Sequence, residues 1–141
     1  MKSRFICRLT SALLVFALMF SVGIVSVSAN NHQDTNFTYS FSYSGQQNRT
    51  SYRDKTDDTS AYMLCTGGSG RYTAWVVGKN EYGSEVNMSG GSYYGFASGQ
   101  SHYMSNYVYE NYGGQSNCVA AIRGQSIDGN TAFGVWSPDS V

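Results

Sequence analysis

The residues that could act as acids, bases or nucleophiles are few in this chain and far apart. Histidine occurs twice, at His32 and His102, so a Ser-His-Asp hydrolase would need one of these rings as its base. His32 falls in a polar segment near residue 30, and His102 has no GxSxG nucleophile motif near it. We expect no catalytic residues and a non-enzymatic protein. A hydrolase whose site has no recognisable motif is the alternative.

Metal ligands are similarly sparse. The histidines form no HExxH or Cys/His cluster for zinc. Asp54, Asp57 and Asp58 could offer oxygen ligands to calcium, but their segment lacks the calcium-loop pattern with its terminal Glu. We expect a solvated acidic turn, no bound metal and no cofactor, and the question of calcium at these carboxylates stays open.

Residues 1–29 have the three parts of a secretory signal peptide. Lys2, Arg4 and Arg8 give a basic start, residues 13–27 are mostly apolar, and the segment ends in small residues up to Ala29. We expect cleavage after Ala29 and an extracellular product that meets the membrane only during export. An uncleaved membrane anchor is the alternative, although several serines interrupt the apolar run.

Loss of this leader changes the charge and the cysteine content of the chain. Nine basic residues become six against nine acidic ones, which leaves a formal charge of −3. Such a chain lacks the clustered Lys and Arg that nucleic-acid binding requires, so that partner class is excluded.

Cys7 leaves with the leader, and Cys65 and Cys118 remain. Two thiols in an oxidising compartment predict a Cys65–Cys118 disulfide, and two buried free thiols are the alternative.

The composition after residue 29 is typical of an all-β protein. All twelve tyrosines lie there, Leu64 is the single leucine, and no apolar stripe at helical spacing occurs. Residues 37–44 alternate aromatic and hydroxyl side chains, as expected for a strand with one buried face.

We predict a flexible segment over residues 30–36 and one domain over 37–141. Turn residues at about ten-residue spacing divide this domain into about seven short strands. The expected architecture is an antiparallel β-sandwich, with a small barrel as the alternative. Within it we expect a hairpin over 61–78, a strand over 101–112 and a hairpin at Asp128-Gly129.

Tyrosine is the residue type that most invites a binding function. Its ring is apolar and its tip polar, so an exposed ring can stack on a sugar or enter an interface. We expect most rings to fill a core that is poor in leucine and isoleucine. The rings near glycine turns, or opposite another apolar face, are the candidate ligand contacts: Trp75, Tyr93, Tyr94 and Tyr112.

Several segments together resemble a family of small secreted Gram-positive proteins of unknown function. These are the leader, Asn30-Asn31-His32, FTYSFSY, SYRDKTDDTSAYMLC, GSGRYTAWVVG and FGVWSPDSV. In size, leader and β-rich composition the chain is also similar to bacteriocins of the lactococcin 972 type. The resemblance implies secretion and assigns no catalytic residue.

The expected function is therefore contact at the cell envelope or outside the cell. The expected partner is cell-wall polymer or the surface of another cell, as for a glycan-binding or bacteriocin-like protein. A self-associating matrix protein with exposed β edges is a further alternative. The sequence leaves the oligomeric state open.

Overall fold

The computed structural model describes residues 31–141, and strands dominate this part of the chain. It contains ten strands and one short helix, α1 (Val108–Tyr112), so the predicted all-β class is confirmed. The predicted signal peptide lies outside the described residues. No helix within residues 31–141 is long and apolar enough to cross a membrane. The strands are β1 (Thr35–Tyr39), β2 (Gln47–Arg49), β3 (Arg53–Asp54), β4 (Ala61–Gly68), β5 (Tyr72–Lys79), β6 (Glu85–Asn87), β7 (Tyr94–Phe96), β8 (Ser101–Met104), β9 (Val119–Ser126) and β10 (Ala132–Ser137).

These strands form two antiparallel sheets that enclose one core. The four-stranded sheet has the order β1-β10-β4-β8. The six-stranded sheet has the order β2-β9-β5-β6, in which β3 also pairs with β9 and β7 also pairs with β5. Both sheets are open across residues 31–141, so the two-sheet prediction holds and the barrel alternative does not. The strand count exceeds the predicted seven because several strands are only two or three residues long.

Aromatic rings occupy the centre of the core between the sheets. The Tyr39 ring lies perpendicular to the Tyr72 ring at 5.4 Å, and Tyr72 stacks on Phe96 at 5.0 Å. The Tyr39 hydroxyl donates to the Ile122 carbonyl at 2.7 Å, which satisfies the buried polar tip. A Cβ atom at Gly124 would lie 2.6 Å from the Tyr39 ring, so β9 needs glycine at this contact.

The alternation predicted for residues 37–44 holds as far as Phe41, and most rings pack against a hydrophobic cluster as expected, although many of the tyrosines do so only partly or not at all. Phe37, Tyr39 and Phe41 are buried, whereas Tyr43 lies in a turn and is exposed. Among the twelve tyrosines only Tyr39 and Tyr72 are buried, since most others lie on outer sheet faces or in loops. The strongly exposed ones are Tyr43, Tyr82, Tyr93, Tyr103 and Tyr107.

Neither predicted hairpin forms. β4 pairs with β10 and β8, whereas β5 pairs with β9, β6 and β7, so the turn after Gly68 carries the chain between the sheets. The Asp128-Gly129 turn does the same between β9 and β10. The two crossings pack together, since the Gly70 amide donates to the Thr131 carbonyl at 3.0 Å. Because the two consecutive strands then lie in opposite sheets, both can pack their apolar faces into the one core between the sheets.

The strand predicted over residues 101–112 is divided in two. β8 ends at Met104, and α1 begins at Val108. The side chain of buried Asn106 explains the break, because its Nδ2 donates to the Met104 carbonyl and its Oδ1 accepts from the Val108 amide, both at 3.3 Å. These bonds replace strand pairing and turn Val108 into the core.

The segment predicted to be flexible, residues 30–36, is held in place over its described part, 31–36. The Asn31 amide donates to Asp139 Oδ2 at 3.0 Å, and the Asn31 side chain donates to the Asp54 carbonyl at 2.7 Å. β1 then begins at Thr35, opposite Trp136. Asp139 also forms an ion pair with Lys55 at 2.5 Å, and both of these side chains are fully buried.

Candidate binding surface

The outer side of the six-stranded sheet carries a row of large side chains across four strands. Strand pairing places Arg49 of β2 beside Arg123 of β9, and Arg123 beside Trp75 of β5. The Tyr93 ring, just before β7, packs against Trp75. At about 4.8 Å between strands, this row of four spans about 14 Å. We call this surface the charged aromatic face: Arg49, Tyr52, Trp75, Lys79, Glu85, Tyr93 and Arg123.

Trp75 and Tyr93 form the aromatic end of this face. Their rings meet edge to face, with centroids 5.3 Å apart. Trp75 is only 8% exposed because it packs with Val77 and Ala121 in a small cluster separate from the main core. Tyr93 is 57% exposed, and its hydroxyl accepts a hydrogen bond from Asn87 Nδ2 at 3.3 Å. A supported tyrosine ring is therefore offered to solvent.

Glu85 joins the charged side chains at the other end of the face. Arg123 donates to it through Nε at 2.6 Å and Nη2 at 2.8 Å, and Arg49 Nε lies 3.2 Å from it. The Tyr52 hydroxyl donates to the same carboxylate at 3.1 Å. Partial burial acts to raise the pKa of Glu85, but the hydrogen bonds from Arg123 and Tyr52 outweigh it and the pKa is lowered. Glu85 is therefore ionised at neutral pH.

Two cations lie over the Tyr52 ring. The Arg49 guanidinium is 4.0 Å and the Lys79 ammonium 4.6 Å from its centroid. Both distances fall within the range of cation–π attraction. The ring also packs against the Trp75 cluster, so it links the aromatic and charged ends into one surface.

The outer side of the four-stranded sheet is different in kind. Its outward strand positions hold no Asp, Glu, Lys, Arg or His. Tyr62 and Tyr103 pair at 5.2 Å between ring centroids, and Tyr103 is 61% exposed. We call this surface the uncharged face: Tyr62, Leu64, Tyr103, Phe133 and Val135.

The structure brings together two of the four aromatic residues predicted as ligand contacts. Trp75 and Tyr93 meet on the charged aromatic face, and Trp75 is the buried member of the pair. Tyr94 is half-buried against the core, and its hydroxyl accepts from the Ser105 amide at 3.1 Å. Tyr112 lies in α1 and packs partly against the core. Neither Tyr94 nor Tyr112 belongs to this face.

The sequence analysis missed the charged members of the face. Arg49, Glu85 and Arg123 lie on three separate strands, and only strand pairing brings them together. One partial signal existed in the sequence, because alternation along residues 118–124 places Cys118, Ala120 and Ile122 on one face and Arg123 on the other.

The predicted Cys65–Cys118 disulfide is not present. Both cysteines are free and buried. Cys65 lies in β4, where it interacts with the core residue Tyr72. Cys118 lies in the other sheet's segment just before β9. Cys65 Sγ donates to the Gly67 carbonyl at 3.5 Å. Cys118 Sγ instead donates to the Lys55 carbonyl at 3.1 Å, and burial raises the pKa of this thiol.

His102 is held by backbone and aromatic contacts. Its Nε2 lies 3.0 Å from the Gly95 carbonyl oxygen, so that nitrogen carries the proton and donates. The ring meets Phe96 edge to face at 4.9 Å and lies 5.5 Å from Tyr94. Within residues 31–141 no carboxylate is hydrogen-bonded to this imidazole.

The acidic residues considered for calcium do not converge. Asp57 Oδ1 accepts from the Thr59 amide at 2.9 Å and lies 3.6 Å from Lys55 Nζ. Asp54 pairs in β3 with Val119, and Asp58 is exposed. In the described part of the chain no three His, Cys, Asp or Glu side chains are grouped closely enough to hold a metal ion.

The fold and this surface define a small all-β protein with two open sheets and a charged aromatic outer face. The model of the family described as protein of unknown function, DUF2712, matches residues 25–140, so the chain belongs to that family. Comparisons with curated proteins and with solved structures gave no significant match.

Proposed function

We propose that this chain is a non-enzymatic protein that is exported through its leader, residues 1–29, and binds a cell-envelope glycan. The observation that carries the proposal is the Trp75–Tyr93 pair, in which a buried indole supports a tyrosine ring that is 57% exposed. Sugar rings present C–H faces that stack on such a ring, and neighbouring polar groups can hydrogen-bond their hydroxyls. The resemblance to small secreted Gram-positive proteins supports the extracellular assignment.

The polar neighbours suit this role. Strand pairing aligns Gln47, Gln125 and Thr73 in a row directly beside the row that holds Arg49, Arg123 and Trp75. Amide and hydroxyl groups at these outward positions can donate to and accept from sugar hydroxyls. A flat sheet face with rings in one row and amides in the next fits an extended polymer better than a small enclosed ligand.

The test is retention of the mature chain by insoluble peptidoglycan and by intact Gram-positive cells. Tyr93→Ala is compared with Tyr103→Ala, a similarly exposed tyrosine on the uncharged face. We expect wild type and Tyr103→Ala to be retained and Tyr93→Ala to bind about tenfold more weakly, which corresponds to about 1.4 kcal/mol. Equal retention of the two variants, or no retention of wild type, would contradict the proposal.

The uncharged face supports self-association as a second candidate function. Tyr103 and Phe133 are exposed on a sheet face whose outward strand positions carry no charged side chain, with Asp34 at its edge beside Tyr103, so two copies could meet with little electrostatic repulsion. Sedimentation of wild type and Tyr103→Ala separates the candidates. A wild-type oligomer that becomes monomeric in Tyr103→Ala, in a protein that retains no envelope polymer, would favour this second function.

A further inference from the structure

The charged aromatic face has more positive than negative charge. Arg49, Lys79 and Arg123 are its cations, and Glu85 is its one carboxylate, which leaves a surplus of two positive charges. Counting exposed Glu81 in the turn after β5 still leaves a positive face. Asp54 lies opposite Val119, about 13 Å along β9 from Arg123, where physiological salt screens its effect. The face is thus opposite in sign to the mature chain, whose formal charge is −3.

Glu85 does not use up the hydrogen-bond donors of these cations. A guanidinium has five N–H groups, and Arg123 directs only those on Nε and Nη2 at Glu85. Lys79 Nζ contacts the Tyr52 ring and makes no hydrogen bond to any described residue. The Arg49 and Arg123 side chains are 31% and 25% exposed, so donors remain available to a ligand.

The spacing between strands sets the distances between the arginines and the aromatic rings of this face. Arg123 and Trp75 are direct partners across β9 and β5, and Tyr93 lies against Trp75. One polymer lying along the row could stack a sugar on Tyr93 and place an acidic group of a nearby sugar beside Arg123, two strand spacings or about 9.6 Å away. An isolated anion would use only the charged end, and a neutral glycan only the aromatic end.

From this we propose that the charged aromatic face selects an acidic polysaccharide, in which sugar rings carry regularly repeated anionic groups. This inference rests on the proposed function and specifies its ligand class. Charge complementarity of this kind raises the association rate and discriminates among ligands. Because the surplus cations are partly exposed, binding should weaken as salt concentration rises.

Three soluble probes test the inference on the mature chain. Polygalacturonate has rings and charge, its fully methyl-esterified form has the same rings without charge, and inorganic polyphosphate has charge without rings. We expect polygalacturonate to bind at least about tenfold more tightly than either of the others, equivalent to about 1.4 kcal/mol. Isothermal titration at two salt concentrations measures this difference and its salt dependence.

Lys79→Gln tests the role of the surplus cations. Arg71→Gln is the matched control, since it also removes one positive charge at an exposed site, where Arg71 pairs with Asp128 away from this face. We expect Lys79→Gln to weaken polygalacturonate binding by about twofold to fivefold and Arg71→Gln to leave it unchanged. Equal weakening by both variants would indicate a net-charge effect and overturn the inference.

The outcomes separate this inference from the proposed function. If the charged and esterified polymers bind equally and Tyr93→Ala weakens both, glycan binding stands and selection for acidic polymers fails. If polyphosphate binds as tightly as polygalacturonate, the face is an anion site and the inference fails. If neither galacturonan binds and peptidoglycan retains nothing, both proposals fail.

Discussion

Two groups of charged side chains in this protein differ in their burial: one is fully buried and the other is partly exposed. In the first, Lys55 pairs with Asp139 at 2.5 Å with no exposure of either side chain to solvent, and the partly exposed Asp57 carboxylate lies 3.6 Å from the same ammonium. In the second, Glu85 meets Arg49 and Arg123 where a quarter to a third of each side chain is exposed. The buried pair joins the segment after β3 to the segment after β10, whereas the exposed group links strands of one sheet that backbone pairing already holds together.

This difference separates a structural role from a binding role. A buried ion must be paired, because an unpaired charge in the interior costs several kcal/mol, so the first pair cannot change without loss of stability. Asp139 also accepts from the Asn31 and Thr56 amides, so it holds three chain segments together. Exposed ion pairs contribute little stability, and their side chains are free to serve a ligand.

Removal of the buried anion is expected to have the largest effect. Asp139→Asn leaves Lys55 charged and buried with only the more distant Asp57 carboxylate beside it, which should lower the free energy of unfolding by about 3 kcal/mol. Urea unfolding measures the loss. Glu85→Gln is the control and should cost less than about 1 kcal/mol. Similar losses in the two variants would mean that the two charged groups do not differ as described.

The buried pair should also make stability depend on acid. Burial acts to raise the pKa of Asp139, but the hydrogen bonds from Lys55 and Thr56 prevail and lower it. A lowered folded pKa means that the unfolded carboxyl takes up its proton first, so this stabilisation is complete well above about pH 4. It is lost as pH falls below about 4 and through the folded pKa.

The measurement is the difference in unfolding free energy between wild type and Asp139→Asn as a function of pH. The difference should be constant near neutral pH and shrink below about pH 4. Because the comparison is between two variants, the lowered pKa values of Glu85 and Asp128 cancel. A difference that does not change with acid would refute the role given to the Asp139 carboxylate.

At the exposed group, loss of the anion should strengthen binding. Glu85→Gln raises the surplus positive charge of the face and releases Arg123 donors, so polygalacturonate affinity should rise about twofold to fivefold. Glu81→Gln removes a neighbouring carboxylate that lies outside the face and should have a smaller effect. Weaker binding by Glu85→Gln would mean that Glu85 positions the arginines for the ligand.

The same contrast explains what the sequence could and could not predict. The alternation of residues along β5 in the sequence already separates Tyr72 and Val76, which lie on the core side, from Trp75 on the other side. Such patterns depend only on the local backbone. The pairings of Lys55 with Asp139 and of Glu85 with Arg123 join residues 84 and 38 positions apart. They follow from strand order, which no local pattern encodes.

The predicted hairpins failed for a related reason. The chain turns at Ser69-Gly70 and at Asp128-Gly129, while Gly67 and Gly68 still belong to β4; turn chemistry does not specify which sheet the next strand joins. That choice depends on how the whole chain buries its apolar faces. Strand alternation and nearby glycine turns indicated Trp75 and Tyr93, the two aromatic residues that meet on the charged aromatic face. The same signals did not show that Tyr94 packs against the core.

The smallest expected effect concerns the two thiols. A bridge closing a loop of about 54 residues would contribute about 4 kcal/mol, so reduction would lower the melting temperature by more than about 15 °C. Cys65, in β4, and Cys118, just before β9, are both free, so reductant should leave the melting temperature of the protein unchanged. Differential scanning calorimetry with and without reductant measures this. A large drop would mean that a covalent link holds the protein together, and the buried Lys55–Asp139 pair would then no longer be the main tie between the start and end of the domain.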